Sequence, residues 1–181
     1  MMQIMSVIRF KFAAQKALSA VHWMVCKKPG VDLHTVLKAC YFADKDHLNR
    51  HHRPVFGATY RAMRFGPVPL EIYEMAKGEA IWLPEVTVDA YPWRLDGYRL
   101  APHSNTPPDL DHLAPFEMGA LEQAFDKSCS MNFDARTAAT HGPDWQAAEL
   151  GTMRYEDMID EGPDKAALIA HLRAYSKLMK L

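Results

Sequence analysis

The sequence predicts a mainly α fold: a single compact helical domain over residues 10–181, with one inserted antiparallel β-hairpin and an N-terminal leader of residues 1–9 ahead of it. Three observations predict it. Apolar residues recur at three- and four-residue steps along most of the chain, which puts them on one face of a helix. One Asp-Gly pair, Asp96-Gly97, separates two short runs that read as strands, and such a pair suits a tight hairpin turn. The 181 residues are 49 % apolar and 24 % charged, the balance of one folded domain and not of a disordered tract.

The first helix is expected from Phe10, where Phe10, Ala14, Ala17, Leu18, Val21, Met24 and Val25 share a stripe, to Pro29-Gly30. Asp32 suits the N-cap of a second helix, because its carboxylate can accept from an unpaired first-turn N–H. Leu33, Val36, Leu37, Cys40 and Leu48 form that helix's stripe, and Pro54 breaks it. Thr59 to Arg64 is short and suits extended chain. Gly66-Pro67-Val68-Pro69 reads as a sharp turn, opening a helix from Leu70 to Lys77 that Gly78 stops. Val86 and Val88 then alternate with polar residues, and the hairpin follows around Asp96-Gly97. Pro115 suits the first position of the next helix, which carries Phe116, Leu121 and Phe125. A shorter helix is expected over 134–140. After Gly162-Pro163 the last helix shows Leu168, Ile169, Leu172, Tyr175 and Met179 on one stripe.

Composition excludes several classes. Twenty-one Lys and Arg against 22 Asp and Glu leave a net charge of −1, which argues against a nucleic-acid coat or a polybasic membrane binder. The longest apolar runs, Ala39 to Ala43 and Ala166 to Ala170, fall far short of the roughly 20 residues a spanning helix needs. Arg9 and Lys11 interrupt the place of a signal-peptide core. Cys26, Cys40 and Cys129 are odd in number and far apart, so they read as reduced thiols of a cytoplasmic protein. GxSxG, the P-loop and GxGxxG are all missing, and the prolines after Gly66 remove the N–H donors an anion site there would use.

Some residues nevertheless stand out. Asp44 falls on the apolar stripe of the second helix and His47 on its edge. A buried carboxylate needs a partner or a wet cleft, so Asp44 is either tied to an arginine or loop amide, or part of a binding cleft. Asp44, His47, His51 and His52 have spacings that can bring metal ligands together on a helix, but HExxH and CxxC are absent. Residues 45–64 hold five cations (Lys45, Arg50, Arg53, Arg61, Arg64) against Asp46, and an acidic stretch from Glu156 to Asp164 offers to neutralise them. Their default reading is a solvated face, then an acidic protein partner, then nucleic acid, for which no RNA-binding or helix-turn-helix motif is present. Trp82, Tyr91 and Trp93 cluster around the hairpin, whose outer aromatics are candidates for a protein contact.

The stretch Leu37-Lys38-Ala39-Cys40-Tyr41-Phe42-Ala43-Asp44-Lys45-Asp46-His47-Leu48, followed by Arg53-Pro54-Val55, resembles the Panacea domain, the SocA-like antitoxin family. So does Tyr60-Arg61-Ala62-Met63-Arg64-Phe65-Gly66-Pro67-Val68-Pro69, with Ile72-Tyr73 just after it. Thr140-His141 with Trp145 resembles a further family element, and Tyr155 to Asp160 is similar to the SocA-type branch. The resemblance spans residues 10–180. It implies an antitoxin of a two-gene toxin–antitoxin system, acting by direct protein–protein neutralisation and not by catalysis. In the SocA-type branch it further implies an adaptor that presents the toxin to the ClpXP protease.

The expectation is therefore a face that binds a cognate toxin, built from the second helix, the segment from Arg53 to Pro69 and the hairpin. In it Asp44 with Arg61 or Arg64 braces the segment, His47, Tyr60 and Tyr73 line it, Gly66 and Pro67 set the backbone turn, and Trp145 closes it. No catalytic residue, metal or cofactor is expected, nor a membrane or nucleic-acid partner. Two rivals remain: a small metal-dependent hydrolase using Asp44, His47 and His51 or His52, and a DNA-binding autorepressor using the basic stretch.

Overall fold

A computed structural model of the chain describes residues 6–181. Residues 1–5 of the expected leader lie outside the described residues. The architecture is mainly α. The elements in chain order are α1 (Ala14–Lys27), β1 (Val31–Asp32), α2 (Leu33–His51), β2 (Tyr60–Met63), β3 (Gly66–Pro69), α3 (Leu70–Ala76), α4 (Leu83–Val86), β4 (Trp93–Asp96), β5 (Arg99–Pro102), α5 (Pro115–Cys129), α6 (Phe133–Thr140), α7 (Pro143–Ala147), α8 (Tyr155–Met158) and α9 (Lys165–Tyr175). Short 3₁₀ turns cover Ala80–Trp82 and Ser176–Leu178. No helix among the described residues is long and apolar enough to cross a membrane.

Helix α2 is the centre of the core. Asp32 starts it: its Oδ1 accepts from the Thr35 N–H at 2.8 Å and its Oδ2 from the Thr35 hydroxyl at 2.6 Å. From Val36 to Ala43 every side chain of α2 is buried, because α5, α6, α3 and the β2–β3 pair pack around it. His52 ends the helix in the left-handed region at φ 60°, its N–H bonded to the Leu48 carbonyl. Two residues later Pro54 would have blocked continuation in any case.

Strands β4 and β5 pair antiparallel with Leu95 opposite Leu100 and Asp96 opposite Arg99, so the turn is Gly97-Tyr98, one residue later than the expected Asp96-Gly97. They do not stand alone. β1 adds to the far side of β5, giving the order β1-β5-β4, and this ties the hairpin to the start of α2. A second sheet was not foreseen. Gly66 to Pro69 was expected as a turn; instead it forms β3, antiparallel to β2 with Tyr60 opposite Pro69 and Ala62 opposite Pro67. Prolines can sit in a strand at a sheet edge, where the missing N–H is not needed.

Other boundaries also differ from expectation. α1 begins at Ala14, with Phe10 and Phe12 packed on the core ahead of it. Ile8 is buried, and its N–H donates to Glu156 Oε1 at 3.3 Å. Residues 80–86 are helical, so Val86, whose alternation with Val88 suggested extended chain, ends α4. Tyr91 and Trp93 are buried and stacked together, so the hairpin's exposed aromatic is Tyr98 at its tip. Of the α9 stripe, Leu172 is buried while Tyr175 is half exposed. Cys26, Cys40 and Cys129 are all free thiols.

Candidate functional site

Asp44 has no exposure at all. Its Oδ1 accepts from the Phe56 N–H at 2.7 Å and its Oδ2 from the Tyr60 hydroxyl at 2.9 Å, with the Val55 and Ala58 amides adding to the donors around it. Burial outweighs these donors and pushes the carboxyl up to about 7. The brace is thus a loop amide and a tyrosine, fastening α2 to the chain that enters β2. The expected partners Arg61 and Arg64 do not supply it: both are exposed. Tyr60 is buried too, and its hydroxyl reaches the Cys40 carbonyl at 3.3 Å as well.

One turn further along α2, the His47 Nδ1–H donates to the Arg53 carbonyl at 2.6 Å, and its ring stacks on Phe116 at 5.7 Å between centroids. Burial lowers its pKa, so the neutral ring carries its proton on Nδ1. Its Nε2 is buried and has no partner among the described residues. Arg53 reaches Glu117 Oε1 at 3.4 Å, where Lys16 also pairs at 2.6 Å. These residues fix the helix end and do not converge on an ion. Both Asp44 oxygens are committed, and no group of three or more His, Cys, Asp or Glu among the described residues could hold a metal.

The basic stretch is largely spent inside the chain. Lys45 pairs with Asp144 at 3.1 Å, Arg50 with Asp46 at 2.9 Å and Arg53 with Glu117. Among the described residues no ion pair joins the acidic stretch to it: Glu156 faces Arg154 and Arg173, and Glu161 pairs with Lys165.

The concave feature that combines apolar walls with buried charge lies elsewhere, between the first half of α2, the β2–β3 turn, α3, the hairpin tip and α6. It is a groove of about 880 Å³. Of the expected site residues, Arg64, Gly66 and Tyr73 line it, while Asp44, His47, Arg53, Tyr60, Arg61, Pro67 and Trp145 do not. Several of the latter hold its walls. The Pro67 carbonyl accepts from the Lys38 ammonium at 2.8 Å. The Trp145 indole N–H donates to the Met63 carbonyl at 2.9 Å and so pins the end of β2. Trp145 is itself held by a stacked His141 and by the Trp145 N–H bond to Asp144 Oδ1, whose Oδ2 takes the Tyr41 hydroxyl at 2.5 Å.

Gly66 makes the close approach possible. Its φ is +102°, and a Cβ there would collide with the Thr140 hydroxyl and meet Lys38 Cε at 2.9 Å. Lys38 is 1 % exposed. Burial, reinforced by Arg136, pulls its pKa down to about 7. Arg136 is also buried. Its Nε–H donates to the Ser128 carbonyl, an Nη2–H to the Met131 carbonyl and an Nη1–H to His34 Nδ1 at 3.0 Å. A guanidinium can only donate, so His34 Nδ1 accepts and the Nε2–H donates to the Phe65 carbonyl at 3.2 Å. Burial and then the Lys38 charge lower the pKa of His34 to about 4, so it is neutral.

Lys38, His34 and Arg136 escaped the sequence reading. One signal pointed to Lys38: it is the single charged residue between Val36 and Ala43, and a helix apolar on all sides buries whatever it carries. No sequence signal marks His34 or Arg136, whose roles depend on α6 meeting α2.

Among known families, the one described as antitoxin SocA-like, Panacea domain, matches the chain over residues 36–146. No curated protein and no solved structure matches the chain significantly.

Proposed function

The chain belongs to the SocA-like, Panacea-domain antitoxin family, and from that premise we propose that it neutralises its partner toxin by direct contact at the groove between α2, the β2–β3 turn and α6, with no bond-making of its own. The observation that carries this reading is the groove itself, most of whose lining falls within the matched stretch, with Lys28 and Asp32 to Thr35 just ahead of it. Its rim presents Tyr98, Phe65 and Phe133 to solvent, with Phe65 and Phe133 in edge-to-face contact at 5.1 Å. Exposed aromatics beside arginine are the side chains that dominate protein–protein contacts. Asp44, Tyr60 and Trp145 act behind that surface: they hold the backbone that forms it, which lowers the ordering cost of binding.

The finer steps of the proposal follow the family reading. Neutralisation takes place in the cytoplasm, and the bound toxin is handed to ClpXP. Co-expression with the toxin encoded beside this chain tests the contact: the proposal expects growth rescue and a stable complex on purification through a tag on this chain. Toxin half-life in cells with and without ClpX tests delivery separately. An unchanged half-life leaves a blocking antitoxin and removes the adaptor step.

A further inference from the structure

Resting on the toxin-binding reading and narrowing it, we propose that the groove receives an apolar segment of the toxin that presents one acidic side chain to the Lys38 ammonium. The charge of the walls is one-sided. Lys28, Lys38, Arg64, Arg99 and Arg136 line the groove against one carboxylate, Asp32. Asp32 is already engaged, with both oxygens on Thr35 and the Arg136 guanidinium 3.8 Å away.

Lys28, Arg64 and Arg99 are exposed, whereas Lys38 is buried and has no ion pair among the described residues. Among the described residues its one hydrogen-bond partner is the neutral Pro67 carbonyl, although an ammonium has three donors. The groups packed around it are Arg136 and the Thr140 hydroxyl on α6, His34 one turn back on α2, and the Gly66–Pro67 backbone of β3. None is a carboxylate. A buried ammonium with that surrounding is costly in the free protein, and its lowered pKa reports the same imbalance. An incoming carboxylate supplies both the missing charge and the missing acceptors.

The shape of the site favours a protein segment over a nucleic acid. A phosphate is best held by forked or multiple donors, and three of the Arg136 N–H groups are committed to Ser128, Met131 and His34. What remains on the floor is a single point charge suited to one carboxylate. The walls beside it are apolar, formed by Leu33, Leu37, Met63 and Val68.

The test is a double-mutant cycle with the toxin encoded beside this chain. Binding is measured by calorimetry for the wild type, Lys38→Met and the surface control Arg50→Met. Each is measured against the toxin and against toxin variants carrying single Asp→Asn or Glu→Gln changes. The expected result is a loss of about thirtyfold or more for Lys38→Met, none for Arg50→Met, and one toxin carboxylate whose amide variant shows the same loss and adds little in the Lys38→Met background. Wild-type affinity should also fall above pH 7 while that of Lys38→Met stays flat. Lys38→Met binding within about threefold of wild type, no coupled toxin carboxylate, or displacement of the toxin by a random-sequence oligonucleotide would each overturn the proposal. Should Lys38→Met fail to fold, the toxin-side variants decide alone. No complex with the wild type would sink the toxin-binding reading as well; a complex indifferent to Lys38 would sink only this one.

Discussion

Tyr60 donates a 2.9 Å hydrogen bond to Asp44 in a part of the core where neither side chain reaches solvent. That bond joins the middle of α2 to the first residue of β2, and β2 leads directly into the Met63–Gly66 turn on the groove wall. Tyr60→Phe removes the donor and leaves a buried carboxyl oxygen short of a partner. The expected cost is about 1–3 kcal/mol of unfolding free energy in urea. An unchanged midpoint would mean that the bond is incidental.

The same carboxyl makes a pH prediction. Burial raises Asp44 from 3.8 to about 7, so between those values the folded state holds a proton that the unfolded state has lost. Stability must then fall as pH rises from about 4 to about 7, and level off above. His22, His34 and His47, all lowered, tilt stability the other way below about 6.5. The readout is therefore the difference between wild type and Asp44→Asn. That difference should decline across the window, and a difference flat from pH 4 to 8 would contradict the burial argument.

Gly66 and Gly97 both have positive φ, at +102° and +61°, but only Gly66 is crowded. Gly97→Ala should cost only the backbone strain, about 1–2 kcal/mol. Gly66→Ala adds an overlap with Thr140 and Lys38 and should cost clearly more, with loss of toxin binding. Equal thermal shifts for the two variants would show that β3 does not press on α2 as described.

Lys38 is expected to trade stability for binding. Its pKa is lowered from 10.5 to about 7, so the unfolded state binds the extra proton in that range, and stability rises with pH from about 7 upward. Lys38→Met removes a poorly compensated buried charge. The variant should melt at or above the wild-type temperature at pH 7, and the gap should close as pH rises toward 10. A large loss of stability at pH 7 would mean that the Lys38–Pro67 bond outweighs its desolvation.

Much of the fold was legible in the sequence because it is locally encoded. Asp32 before an apolar stripe gave the start of α2, Pro115 the start of α5, and Asp96-Gly97 the β4–β5 hairpin with its turn one residue early. β3 was not legible, because Pro67 and Pro69 read as chain breakers and only the pairing with β2 makes them strand residues. The stretch from Tyr60 to Tyr73 contributes a wall of the groove, but which of its atoms do what was not legible. Of the two partners expected for Asp44, an arginine or a loop amide, the loop amide is found, joined by the Tyr60 hydroxyl, while Arg61 and Arg64 are exposed. The floor of the groove is a long-range product: Lys38, Gly66 and Arg136 are 28 to 98 residues apart and meet only when β3 and α6 close on α2.

The central claim is that the toxin docks in the groove between α2, the β2–β3 turn, the hairpin tip and α6. Hydrogen exchange of the purified complex against the free protein tests it most directly. New protection is expected at residues 63–68, 97–99 and 130–136. Protection confined to α9 or α8, with those three segments exchanging as in the free protein, would contradict it.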